Sequence, residues 1–222
     1  MSTARTAAPS SDPVVEAYSE ATLPTHHGTF LVRVFRELTR PGIEHLAIIA
    51  GDPSRSAGAA PLPVRVHSEC WTGEALGSRR CDCREQLDHA LAYIAERGRG
   101  VVVYLRQEGR GIGLGNKIAA YALQERGADT VDANRWLGFG DDLRTYEAAA
   151  AILTQLDAGP IELISNNPEK ISALVALGMN VVGRIPSLAE PNPDNARYLE
   201  TKRRRMGHLL AARADSPGRS HR

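Results

Sequence analysis

Residues 28–35 alternate toward the period of a half-buried strand, whereas residues 44–50 run almost continuously apolar. The turn Thr39-Arg40-Pro41-Gly42 separates them. Residues 51–63, rich in Gly, Pro, Ser and Ala, form a loop that leads into a short strand over 64–67. Leu87, Leu91 and Ile94, with Ala90 and Ala95, recur at helical spacing, and Gly98 stops that helix. An uninterrupted apolar run at 101–105 predicts a strand covered on both faces. Helices follow at 116–126, 143–156 and 168–177, with strands at 161–164 and 180–182. Alternation of this kind predicts an α/β fold. No internal repeat or linker divides the chain, so one domain is expected.

The ends look different. Residues 1–17 are small, polar and proline-containing, and residues 213–222 resemble them, so both are expected to be mobile around an organised domain at 18–212. The chain of 222 residues carries 27 Lys and Arg against 26 Asp and Glu. Residues 197–222 hold eight of those bases and two of the acids, which leaves 19 against 24 elsewhere. A mildly acidic body argues against a broad nucleic-acid footprint. The basic run Lys202 to Arg205 is expected to be a solvated helix face or a frayed end. There is no signal-like apolar core and no run near ~18 apolar residues, so no membrane partner is expected and the setting is read as cytoplasmic.

Candidate chemistry begins with the three cysteines, Cys70, Cys81 and Cys83, which are all clustered in one segment. An odd count would strand one thiol of a disulfide framework, and Cys81 and Cys83 flank a single residue, an awkward span for a bridge. Charged neighbours such as Glu69, Asp82 and Arg84 do not suit cysteines buried as small hydrophobes. Three ligands to one zinc ion fit better, and three protein ligands keep a position open for water. A fourth ligand, His67 or His89, would close the site and make it structural.

Two further segments are chemically loaded. Arg106-Gln107-Glu108-Gly109-Arg110 continues through Gly111, Gly113 and Gly115 to Asn116-Lys117, placing glycines and positive charge at a helix start, as phosphate binding needs. Neither the P-loop nor the dinucleotide spacing is met. Asp142 and Arg144, two positions apart beside Gly138 and Gly140, can converge on one ligand only at a loop or helix entrance. Taken alone, the segment reads first as Asp141 or Asp142 capping the helix that follows. Ser165-Asn166-Asn167-Pro168 reads as a strand end and helix start, with Lys170 just inside.

In this order, Arg65-Val66-His67-Ser68-Glu69-Cys70, Cys81-Asp82-Cys83, Arg106 to Arg110, Asn116-Lys117, Leu137-Gly138-Phe139, Asp142 with Arg144, and Asn166-Asn167-Pro168 resemble GTP cyclohydrolase II. The likeness continues into Tyr198-Leu199 and Met206 to Leu210. It implies a single α/β catalytic domain of mixed sheets with flanking helices. It also implies zinc-dependent hydrolysis of GTP at the guanine imidazole ring, releasing formate and diphosphate and leaving a diaminopyrimidine ribosyl phosphate for riboflavin synthesis. Cys70, Cys81 and Cys83 would hold one Zn2+ per subunit with water completing it. Tyr121, Asp142 and Arg144 would be catalytic, Asp142 as proton acceptor and Arg144 as nucleophile or as a charge stabiliser. Arg65, Val66, His67, Ser68, Glu69, Gln86, Glu108, Gly109, Arg110, Thr130, Ser165 and Lys170 would bind GTP. Mg2+ would accompany the triphosphate, and the assembly would be a homodimer. Gly111 and Gly115 stand where relatives can carry bulkier residues and are expected to loosen their loop. Two other classes compete: a zinc nucleobase deaminase, which lacks its Pro-Cys-x-x-Cys half here, and a non-catalytic nucleotide-binding relative.

Overall fold

A computed structural model of the chain describes residues 14–54, 60–127, 130–140, 142–187, 192–205, 207 and 209; the side chains of Thr130, Val131 and Arg197 lie outside that description. Seven strands form one sheet: β1 (Val15–Thr25), β2 (Gly28–Glu37), β3 (Glu44–Ala50), β4 (Leu62–Ser68), β5 (Gly100–Leu105), β6 (Ile161–Ile164) and β7 (Val181–Ile185). Their spatial order is β1-β2-β3-β5-β4-β6-β7. The first four in that order pair antiparallel, and β5, β4, β6 and β7 pair parallel. The helices are α1 (Trp71–Glu74), α2 (Cys83–Glu96), α3 (Gly113–Glu125), α4 (Thr130–Trp136), α5 (Glu147–Gln155), α6 (Pro168–Ala176) and α7 (Ala196–Arg205).

The expected α/β fold is therefore present, with a single mixed sheet. One face packs on α5 and α6 through Val64, Val66, Val101, Val103, Ile152, Leu153, Leu163 and Leu174. The other packs on α2 through Phe30, Val102, Ala90 and Ile94. Two covered faces account for the unbroken apolar run of β5. No helix among the described residues is long and apolar enough to cross a membrane.

Three expectations need correction. Residues 15–17, grouped with the mobile N-terminal segment, open β1, and Val15 is fully buried. β1 was not apparent because the rest of that strand is exposed and its register slips between Ala17 and Ser19, so no alternation survives. The helix expected from residue 143 starts only at Glu147. Gly111 does not loosen its loop: it sits at φ +91°, and a Cβ there would lie 3.1 Å from the Cβ and backbone oxygen of Leu143.

The C-terminal ends of the parallel strands β4, β5 and β6 lie side by side, Ser68 opposite Leu105 and the Glu69 amide bonded to the Leu105 carbonyl at 2.9 Å. In open α/β sheets this is where ligands bind.

Candidate active site

The chain leaves β4 into a one-turn helix, α1, that brings Cys70 against the start of α2. The Sγ atoms of Cys70, Cys81 and Cys83 all lie within 4.8 Å of one another, with Cys70 and Cys81 3.6 Å apart. Among the described residues no histidine joins this group. His67 Nε2 instead lies 2.7 Å from Glu74 Oε1, which also accepts from the Cys70 amide at 3.1 Å. Glu74 Oε2 takes the Tyr104 hydroxyl at 2.6 Å, so one carboxylate fixes the turn that carries Cys70. Gly73 lies directly beside the sulfurs.

Lys117, read from sequence as charge for phosphate, is committed elsewhere. Its Nζ lies 3.1 Å from Cys70 Sγ and 2.7 Å from Glu108 Oε1. Hydrogen bonds from Cys81 and Cys83, with the nearby ammonium, hold the Cys70 thiol far below its ordinary range, while the shared proton pushes Cys81 and Cys83 up. The donor set fits a zinc ion: three close thiols, one already biased to thiolate, and an ammonium that offsets their charge.

Around the thiols is a cavity of about 110 Å³, bordered by Ser68, Glu69, Glu108, Gly109, Arg110, Tyr121, Asn134, Arg144, Tyr198 and Lys202 among others. Burial raises the Tyr121 phenol to about 12, which keeps it protonated as a donor. Glu108 accepts from the backbone amides of Trp71 and Gly109 at 2.6 and 2.7 Å and so ties the glycine loop to α1. Gly109 and Arg110 take φ of +63° and +62°, a left-handed pair that bends the loop over the cavity.

A smaller recess adjoins it and shares Ser68, Cys83 and Arg144 as wall; Arg65, His67, Gln86, Ser165 and Lys170 complete it. Arg65 donates to the Ile164 carbonyl at 2.9 Å and to Gln86 Oε1. Burial pulls its guanidinium down to about 10. Lys170 Nζ donates to the Val66 carbonyl at 2.7 Å, and burial, then Arg65 and Arg144, push it well below the usual lysine range. Arg65 and Lys170, which bond carbonyl and amide oxygens rather than an acid, give the recess positive charge suited to an anion, with the Asp142-paired Arg144 at its edge. Ser165 Oγ accepts from the Asn167 amide at 3.0 Å, and the Asn167 side chain caps α6.

Arg144 stands where the two spaces meet. Its Nε lies 2.9 Å and 3.1 Å from the two Asp142 oxygens, and its terminal nitrogen bonds the same carboxylate. Burial opposes its charge, but the carboxylate outweighs burial and holds the guanidinium above its ordinary range. Asp142 is held low by the same contact, against its own burial. Asp142 does not cap α5, whose N-cap is Tyr146, and Asp141 lies outside the described residues.

The family model for GTP cyclohydrolase II matches residues 16–186. The chain belongs to the GTP cyclohydrolase II family. Relatives named GTP cyclohydrolase-2 from Klebsiella pneumoniae subsp. pneumoniae and Pectobacterium atrosepticum are 51% and 52% identical over 192 residues. Each alignment covers 86% of this chain, and 94% and 95% of those relatives. A two-domain 3,4-dihydroxy-2-butanone 4-phosphate synthase from A. baumannii superposes with a TM-score of 0.46 at 22% identity, over 81% of this chain and 42% of that one.

Within this member of the family, most residues named from sequence converge on the paired spaces. Val66 contributes its carbonyl, its side chain being in the core. Glu69 borders the cavity but pairs with Arg106 at 2.9 Å, which removes Arg106 from the anion-binding set. Thr130 begins α4, and its side chain lies outside the described residues. Sequence reasoning missed Glu74, Gly73 and the roles of Asp82, Tyr198 and Lys202. The Lys202 to Arg205 run is a helix end as expected, but Lys202 is buried rather than solvated, with Nζ 2.7 Å from Asp82 Oδ1. The signal available was that Tyr198, Leu199 and Lys202 fall on one helix face.

Proposed function

We propose that this chain opens the guanine imidazole ring of GTP, releasing formate and diphosphate to leave 2,5-diamino-6-(5-phosphoribosylamino)pyrimidin-4(3H)-one at the head of riboflavin biosynthesis. One observation carries the reading: a thiol-lined cavity and a basic recess share Arg144, Cys83 and Ser68 as a common wall. A ligand with a base at one end and phosphates at the other fits that arrangement, with the base toward the cysteines and the phosphates toward Arg65, Arg144 and Lys170.

Cys70, Cys81 and Cys83 would hold zinc, which when bound would supply Lewis acidity and an activated water. Tyr121, kept protonated beside the thiols, donates to an oxygen or nitrogen that gains charge as the ring opens. Arg110 brings donors from the glycine loop. Asp142 orients Arg144, and its depressed pKa makes it a poor proton acceptor.

For Arg144 the geometry favours stabilising charge on the transferring phosphate over nucleophilic attack. Its raised pKa and its bonds to Asp142 keep the guanidinium protonated, which denies it a lone pair. Mg2+ on the triphosphate, a homodimer and a cytoplasmic setting complete the proposal on the strength of the family resemblance.

Incubation with GTP, Mg2+ and Zn2+, with formate, diphosphate and the pyrimidine measured separately, tests this. Equal amounts of all three are expected. Diphosphate without formate refutes ring opening, and absence of every product favours a nucleotide-binding module.

A further inference from the structure

α7 lies beyond the span that the family model matches, yet it forms part of the cavity wall. Leu199 and Lys202 are buried, while Arg203, Arg204 and Arg205 on the same helix are exposed. Tyr198 and Lys202 both border the cavity. We propose that Tyr198 and Lys202 are positioning residues of the GTP site, one setting the guanidinium of Arg110 and the other setting Gln86 and Arg65. The inference rests on the GTP reading above and deepens it.

The Lys202 branch runs through consecutive hydrogen bonds. Lys202 Nζ donates to Asp82 Oδ1 at 2.7 Å, and Gln86 Nε2 donates to Asp82 Oδ2 at 2.5 Å. Gln86 Oε1 in turn accepts from Arg65, whose other terminal nitrogen reaches the Ile164 carbonyl at 2.9 Å. A C-terminal helix is thereby linked to the basic recess. Asp82 is only 1% exposed, so removing the ammonium leaves a buried carboxylate without its counter-charge. Gln86 and Arg65 would then be drawn toward Asp82 and away from the ligand.

The Tyr198 branch works through its ring. Lys202 Nζ lies 4.5 Å from the ring centroid and Arg110 Cζ lies 5.9 Å from it, so the phenol face is shared by two cations. Both terminal nitrogens of Arg110 are buried and make no hydrogen bond among the described residues. Buried donors without a partner are costly unless something arrives to accept from them. In a cavity that already binds its carboxylates elsewhere, that acceptor is the ligand, and Tyr198 holds the guanidinium where the ligand finds it.

Positioning of this kind affects binding more than chemistry. Tyr198→Leu is expected to raise KM for GTP roughly 3- to 30-fold, the range of a lost cation–π contact, with kcat within about twofold of the parent. Lys202→Met is expected to raise KM by about tenfold or more, and Lys202→Arg to recover most of that by restoring the counter-charge. Binding of α,β-methylene GTP to each full-length protein is measured alongside and should weaken in parallel. Melting temperatures show which variants fold. If Lys202→Met melts early, Tyr198→Leu, which strands no buried charge, decides the matter. Unchanged KM and analogue affinity in folded Tyr198→Leu overturn the inference while an active parent leaves the GTP reading intact. A parent that neither turns over GTP nor binds the analogue brings down both.

Discussion

Gly73 leaves only tight space for a side chain. A Cβ at that position would stand 3.1 Å from Cys81 Sγ and 3.2 Å from Cys70 Sγ, so Gly73→Ala must push the sulfurs from their common centre. We expect that change to weaken zinc binding by about tenfold or more while leaving the fold in place, read by chelator competition with circular dichroism as the control. At Arg144 the expectation is catalytic. Arg144→Lys keeps a charge but loses the forked grip of Asp142, and kcat should fall by about 10²- to 10³-fold. A rapid quench of the parent with labelled GTP should trap no phosphoramidate, and a trapped adduct would restore the covalent role. The cysteines were legible in sequence because ligand chemistry depends on residue type and spacing. Gly73 and Glu74 were not, because their parts depend on which atoms the turn brings near the sulfurs.

The elements that frame the site are short and irregular, which is why periodicity lost them. Residues 143–145 carry a helical pattern but spend their amides elsewhere: Leu143 on the Arg110 carbonyl at 3.1 Å, Arg144 on Asp142 Oδ1 at 3.0 Å and Thr145 on Gln107 Oε1 at 3.3 Å. Tertiary partners override propensity there. Gly111→Ala should cost about 1–2 kcal/mol from its left-handed backbone alone and, by displacing Leu143, raise KM, as thermal denaturation and steady-state kinetics will show. A second support sits behind the same loop. His45 Nδ1 accepts from the Arg106 amide at 3.1 Å, and its Nε2 lies 2.9 Å from Glu37 Oε2, so the neutral ring bridges β2, β3 and the chain leaving β5. Burial holds His45 below its ordinary value, with Arg40 and Arg106 acting in the same direction and Glu37 against them. The unfolded chain therefore takes up that proton first, and stability is full above about 6.5 and declines below it. Glu37, held at about 2 chiefly by Arg40, Thr39 and His45 against its burial, adds a loss of the same sign at lower pH. The melting temperature should fall between pH 7.5 and 5.5, and His45→Gln should flatten that fall; a parent insensitive to pH over this interval would contradict the assignment.

On the scale of the whole molecule, the sheet changes from antiparallel to parallel at β5, and the ligand-bearing loops gather where the parallel strands end. That placement was legible, since alternating strands and helices predict parallel pairing and parallel pairing predicts the site. The contribution of α7 was not, because four consecutive basic residues look solvated until a buried acid such as Asp82 is known to face one of them. The central claim is that one ligand spans the thiol cavity and the basic recess, with ring opening at one end and phosphate transfer at the other. Release of formate from C8-labelled GTP and of diphosphate, followed together for the parent and for Cys81→Ser, tests it most directly. The parent should release both, and Cys81→Ser should lose formate while still releasing diphosphate. Formate released by Cys81→Ser at the parent's rate, or none from a zinc-loaded parent, would contradict the account.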